Sequence, residues 1–157
     1  MKKFYYLLLM LPLLAMLAAC SDDDNDLPDV DISIRYSGAV EQDGKLLVAQ
    51  GKTLTIEAIN ATPAPGTKEA ILGNTVYYID GVPFYTIGVA PFGCEIDTSN
   101  LSVGTHRLSF YSQVFQVDRE VGFALYGLRI EVTGPDSDPG DGAGTVTPGV
   151  QIQEHGN

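Results

Sequence analysis

Between residues 30 and 133, apolar and polar positions alternate with a period of two in one run after another. Ile32, Ile34 and Tyr36 alternate with Ser33 and Arg35, and Leu54, Ile56 and Ala58 with Thr55 and Glu57. The same holds for Phe92, Cys94 and Ile96, for Leu108 and Phe110, and for Leu128, Ile130 and Val132. Successive side chains of a strand point to opposite faces, so each run predicts a half-buried strand. Tyr77 and Ile79 lead into Asp80-Gly81, a pair suited to the positive φ of a two-residue hairpin turn, which launches a further strand over Val82 to Ile87. Asp43-Gly44, Pro63-Ala64-Pro65-Gly66, Ser99-Asn100 and Asp118-Arg119 punctuate the other runs. No part of this body carries a sustained 3.6-residue stripe; Lys68 to Leu72 is one helical turn at best. Six or seven short strands with regular turns predict an all-β, antiparallel sandwich of about seven strands. A small closed barrel is the alternative.

The two ends are built differently. Met1-Lys2-Lys3, the apolar stretch Phe4 to Leu17 and the small residues Ala18-Ala19 have the layout of a secretory signal peptide over residues 1–19. The stretch is shorter than the ~20 residues that span a bilayer, and a short uncleaved anchor is the alternative. Residues 20–29 form an acidic tether, and 30–133 the β body. From Gly134 onward Pro, Gly, Asp, Ser and Thr dominate, which predicts a disordered tail over 134–157, with docking onto a partner as the lesser reading.

Charge follows the same division. The chain has 9 Lys and Arg against 20 Asp and Glu, a net −11. Loss of Lys2 and Lys3 with the signal leaves −13, yet the body from Ile32 to Thr133 is only about −3. This balance excludes nucleic acid as a partner, because phosphate binding needs clustered cations. Acidity concentrated in the ends is no argument for a cationic ligand. Two cysteines exclude a disulfide-rich scaffold.

Two resemblances attach to particular residues. Leu17-Ala18-Ala19-Cys20 resembles the bacterial lipobox, which implies that Cys20 carries the lipid and begins the mature chain. Ser21-Asp22-Asp23-Asp24 resembles the export signal of Bacteroidetes-type surface lipoproteins. Together they imply an outer-membrane lipid anchor with the domain exposed at the cell surface; the inward-facing leaflet is the alternative. Val76-Tyr77-Tyr78-Ile79-Asp80-Gly81, then Pro91-Phe92 with Ile96-Asp97-Thr98, then Leu101-Ser102-Val103-Gly104-Thr105-His106-Arg107-Leu108 resemble successive strands of a bacterial immunoglobulin-like domain. That resemblance covers about Thr75 to Ser112 and implies an immunoglobulin-like β-sandwich. The final strand departs from it, being unusually apolar with two extra glycines.

Little in the chain points to catalysis. Cys94 shares the inward phase of Phe92 and Ile96 and is read as core. His106 belongs to a structural corner in the resembling family, and the other histidine, His155, lies in the tail, so no zinc set assembles. The acidic run at 22–26 lacks the glycine and bidentate glutamate of a calcium loop. No nucleophile elbow or phosphate loop is present, and neither cofactor nor metal is expected. The informative residues are aromatic. With Tyr77, Phe110 and Leu128 inward, Tyr78, Tyr111, Phe123 and Leu125 fall on one outer face, a candidate interaction patch that Phe115 extends. The alternative is a bulge at Gly122 or Gly127 that flips Phe123 and Leu125 inside. Tyr85, beside Phe84, suits either a protein or a saccharide surface. The expected function is non-catalytic association with an envelope protein, or adhesion, at the outer membrane surface. The alternative is a glycan-binding accessory lipoprotein of a polysaccharide-capture system.

Overall fold

The structure, a computed structural model, describes residues 27–154. In chain order the strands are β1 (Val30–Ser37), β2 (Val40–Gln42), β3 (Lys45–Ala49), β4 (Thr53–Pro63), β5 (Ala70–Ile79) and β6 (Val82–Ile87). They continue with β7 (Cys94–Asp97), β8 (Gly104–Gln116), β9 (Gly122–Thr133), β10 (Ala143–Val146) and β11 (Gln151–Gln153). Among the described residues the only helical element is a single 3-10 turn, Thr98–Asn100, capped by the Asp97 side chain on the Ser99 amide.

Two hairpins owe their register to their turns. Asp43 and Gly44 have φ of 52° and 72°, and Asp80 and Gly81 have 50° and 82°. Positive φ at both central residues matches the right-handed twist of the flanking strands, and Asp-Gly reaches it at little steric cost. Each turn therefore ties its hairpin, β2–β3 or β5–β6, with only two residues.

The strands pair into two sheets, β10-β1-β4-β7 and β2-β3-β9-β8-β5-β6, with β11 also paired to β9. Taking β1, β4, β5, β6, β7, β8 and β9 as the principal strands, the first, second and fifth form one sheet. The remaining four form the other. This is the strand order of an immunoglobulin-like sandwich, and the two separate sheets exclude the closed barrel. β3 runs parallel to β9, and the other pairings are antiparallel. Ile32, Ile34, Leu54 and Ile56 from one sheet meet Leu108, Phe110, Ile130 and Val132 from the other, all fully buried. Each such aliphatic side chain contributes roughly 1.5–3 kcal/mol relative to exposure. Phe110 stacks on Tyr126 at 5.0 Å and takes the edge of Tyr77 at 5.0 Å. The buried hydroxyls do not oppose folding, because Ser112 bonds both Thr75 (2.8 Å) and Tyr126 (2.6 Å).

Three expectations need correction. The tail is not disordered throughout: β10 pairs with Ile34–Ser37, and β11 with Phe123–Leu125. Backbone bonding to two sheet edges supplies the order that side-chain composition does not suggest. Gly144 permits the approach, since a Cβ there would sit 2.9 Å from the Tyr36 hydroxyl. Val150 and Ile152, isolated in sequence, pack against the core. Second, Lys68 to Leu72 is no helical turn, because Ala70 to Leu72 opens β5. Third, β9 carries no bulge. Its register with β8 runs unbroken from Gly104↔Val132 to Val114↔Gly122. The register shifts fall instead in the β1–β4, β5–β8 and β5–β6 pairings.

Candidate interaction face

β8 and β9 are central strands whose even-numbered residues fill the core, leaving the odd-numbered ones on the outer face of the larger sheet. Cross-strand register sets that face in rows. Tyr78 lies opposite Ser109, and Ser109 opposite Gly127. Val76 lies opposite Tyr111, and Tyr111 opposite Leu125, while Gln113 faces Phe123. Tyr78, Tyr111 and Leu125 are half-buried on this face. Phe123 points the same way but is only 7% exposed, its ring stacked on Tyr111 at 5.1 Å and 12°. Diagonal aromatic pairs of this kind stiffen a sheet surface. Toward the β8–β9 turn the apolar stripe continues through the cross-strand pair Ile71 and Phe115, 66% and 40% exposed.

A trough crosses the face where Ser109 and Gly127 meet. A Cβ on Gly127 would lie 2.7 Å from the Leu108 carbonyl oxygen, so the glycine reflects close backbone approach. The depression, about 490 Å³, is lined by Tyr78, Gly81, Arg107, Ser109, Tyr111 and Leu125. Its two walls differ in chemistry: Tyr111 and Leu125 on one side and Arg107 on the other, with Arg129 opposite Arg107 in the register.

Tyr85 does not join this face. In β6, Tyr77 faces Tyr85 while Tyr78 faces Pro83, so Phe84 is an extra residue. The bulge brings both rings edge-on to buried Tyr77, at 6.1 Å for Phe84 and 5.7 Å for Tyr85. Tyr85 therefore borders a separate open cleft with Glu57, Cys94 and Glu95, between the free edges of β6 and β7. Pro83 removes one donor from the β6 edge, a common guard against unwanted strand pairing.

The residues with reactive side chains have structural partners. His106 Nδ1 contacts Asp80 Oδ2 at 2.6 Å and Nε2 contacts the Ser102 carbonyl at 2.8 Å. The Ser102 carbonyl, then the Asp80 carboxylate, raise the His106 pKa above its usual value. The Arg107 amide, then His106, hold Asp80 below the usual carboxylate range. Burial, then nearby Glu95, push the Cys94 thiol up to about 11; its weak hydrogen bond goes to the Glu95 carbonyl. Among the described residues no group of three or more His, Cys, Asp or Glu side chains converges as a metal site. Cys20, Ser21, Asp22, Asp23 and Asp24 lie outside the described residues, as does His155.

Sequence reasoning passed over the arginines. Arg107 and Arg129 are polar members of the alternating runs around Leu108 and Leu128, and nothing in either run shows that the register sets them side by side.

No protein-family model matches the chain, and no curated protein matches it either. Among solved structures it is similar to the fibronectin(III)-like modules of Clostridium thermocellum CbhA, at 14% identity and a TM-score of 0.45. That match covers 70% of this chain and 50% of the other.

Proposed function

We propose that this chain is a non-catalytic, lipid-anchored module of the outer membrane surface whose β5–β8–β9 face docks an envelope protein. The observation that carries the reading is the contiguous outer face of half-buried Tyr78, Tyr111 and Leu125, backed by the buried Phe123 ring stacked on Tyr111 and extended by exposed Ile71 and Phe115. Tyrosine beside arginine on an outer sheet face matches the composition of protein interfaces. The lipid anchor rests on the lipobox at Cys20 and the surface location on Ser21-Asp22-Asp23-Asp24. The non-catalytic reading is supported by the structural engagement of Cys94 and His106.

Cross-linked co-purification of the tagged lipoprotein from native membranes tests the reading. One stoichiometric protein partner is expected, with capture reduced by Tyr78→Ala and by Tyr111→Ala. Each truncation of an interface anchor is expected to weaken binding about tenfold or more. Recovery of the lipoprotein alone, under cross-linking that captures known envelope complexes, sinks the reading. Saturable binding of a purified neutral oligosaccharide would replace it with glycan capture.

A further inference from the structure

Arg107 and Arg129 occupy directly opposite positions on β8 and β9, both exposed, and Lys45 of β3 follows opposite Arg129. Three cations thus form one row across three strands of a body whose net charge is negative. Cross-strand partners have Cβ atoms roughly 4.5–5.5 Å apart, and like charges so placed oppose folding. Lys45 is neutralised by Glu131 at 3.0 Å, and that carboxylate also accepts from the Thr105 hydroxyl. Glu41, across the β2–β3 turn, accepts the Gly44 amide. Asp80 is held by His106 and by the Arg107 backbone amide. The guanidinium groups of Arg107 and Arg129 have no ion pair or side-chain hydrogen bond among the described residues.

The trough joins this pair to the apolar stripe. Ser109, opposite Gly127, lies along its floor; Arg107, with Arg129 directly across the strand pair, stands on one side and Tyr111 with Leu125 on the other. Guanidinium forks bind carboxylates in a bidentate manner, and two adjacent forks can hold one or two such groups. An extended segment lying across the trough would place an acidic side chain on the arginines and an apolar one against Tyr111.

We propose that Arg107 and Arg129 are an anion-recognition site, and that the segment docking on this face is an acidic stretch of protein with Asp or Glu interleaved by apolar side chains. The inference rests on the docking reading above and adds the chemistry of the partner. Charge complementarity selects an acidic occupant. The Tyr and Arg composition favours a protein over a saccharide. A carboxylate bound between the two arginines would relieve their repulsion.

The test is titration of the full mature chain with a capped hexapeptide alternating Glu with Val and Tyr, read by backbone amide shifts at Ser109 and Gly127. Saturable shifts are expected, weakening as salt rises from about 0.05 to about 0.5 M. Gln-for-Glu replacement in the peptide, or R107Q or R129Q in the chain, is expected to reduce affinity at least tenfold. R129Q is also expected to raise the thermal midpoint, which shows that lost binding is not lost folding. Equal binding of the Gln peptide, unchanged affinity in R129Q, or no saturable shift overturns the proposal. Saturable shifts with a uronic-acid oligosaccharide and none with the peptide overturn it as well, by placing the anion on a glycan. The membrane cross-linking separates the two failures. Capture lost in Tyr111→Ala but intact in the R107Q/R129Q chain overturns only the acidic-partner inference, and capture unaffected by either overturns the docking face itself.

Discussion

His106 shows how one side chain reports its own protonation. Its two ring nitrogens both face acceptors, the Asp80 carboxylate and the Ser102 carbonyl, and only the doubly protonated ring donates to both. Its pKa is raised from 6.5 on folding, so its stabilisation is fully present below 6.5 and is lost as pH rises through the higher folded value. Asp80 is shifted the other way, from 3.8 downward, so its contribution is present above 3.8 and lost as pH falls through the lower folded value. The pair therefore stabilises most in mildly acidic solution, between those two limits. His106→Gln is expected to cost about 1 kcal/mol at about pH 5.5, the carboxylate being half exposed, and distinctly less at about pH 9. Urea unfolding of both proteins at the two pH values checks this. An identical difference at both would show that folding leaves the His106 pKa unshifted.

At the scale of elements, alternation was readable wherever one face of a strand is buried and the other wet. β1, β6 and β9 lie where Ile32–Tyr36, the Asp80-Gly81 turn and Leu128–Val132 place them. What stayed hidden depends on backbone rather than side chains. β10 and β11 are short, small-residue or polar segments whose order comes from β1 and from the stretch of β9 that β3 leaves uncovered, a property of partners far away in sequence. The β2–β3 hairpin was visible only as its Asp43-Gly44 turn, since Leu46 and Val48 alone make too short a pattern. The same limit applies to the candidate face. Its aromatic residues follow from phase along single strands, whereas the adjacency of Arg107 and Arg129 needs register between strands, and the bulge that diverts Tyr85 has no local signal. Removal of residues 143–157 tests the edge argument. The sandwich is expected to stay folded, with faster amide exchange at Phe123–Leu125 and Ile34–Ser37 and a lower thermal midpoint. Unchanged exchange at both edges would show that neither tail strand holds in solution.

Across the whole molecule the two sheets share one core, so the sandwich is expected to open as a unit. Cys94 is a built-in probe of that event, 8% exposed and with its thiol pushed up to about 11. At about pH 8 only about one thiol in a thousand is ionised at that value, and thiolate is the reactive form. In the chain beginning at Ser21, labelling by a thiol reagent is expected to be slow and to follow global unfolding as urea rises. Fast labelling without urea would reveal local opening beside the β6–β7 cleft.

Pro28 and Ile152 both crowd Gly122, where a Cβ would come within 2.6 Å of Pro28 and 2.9 Å of Ile152. Entrance and exit therefore share one pole, and the Asp80-Gly81 turn with the arginine row lies toward the other. A domain hung from its amino end by lipid would hold that second pole outward like the head of a pin, and a carboxy-terminal reporter would sit on the membrane side.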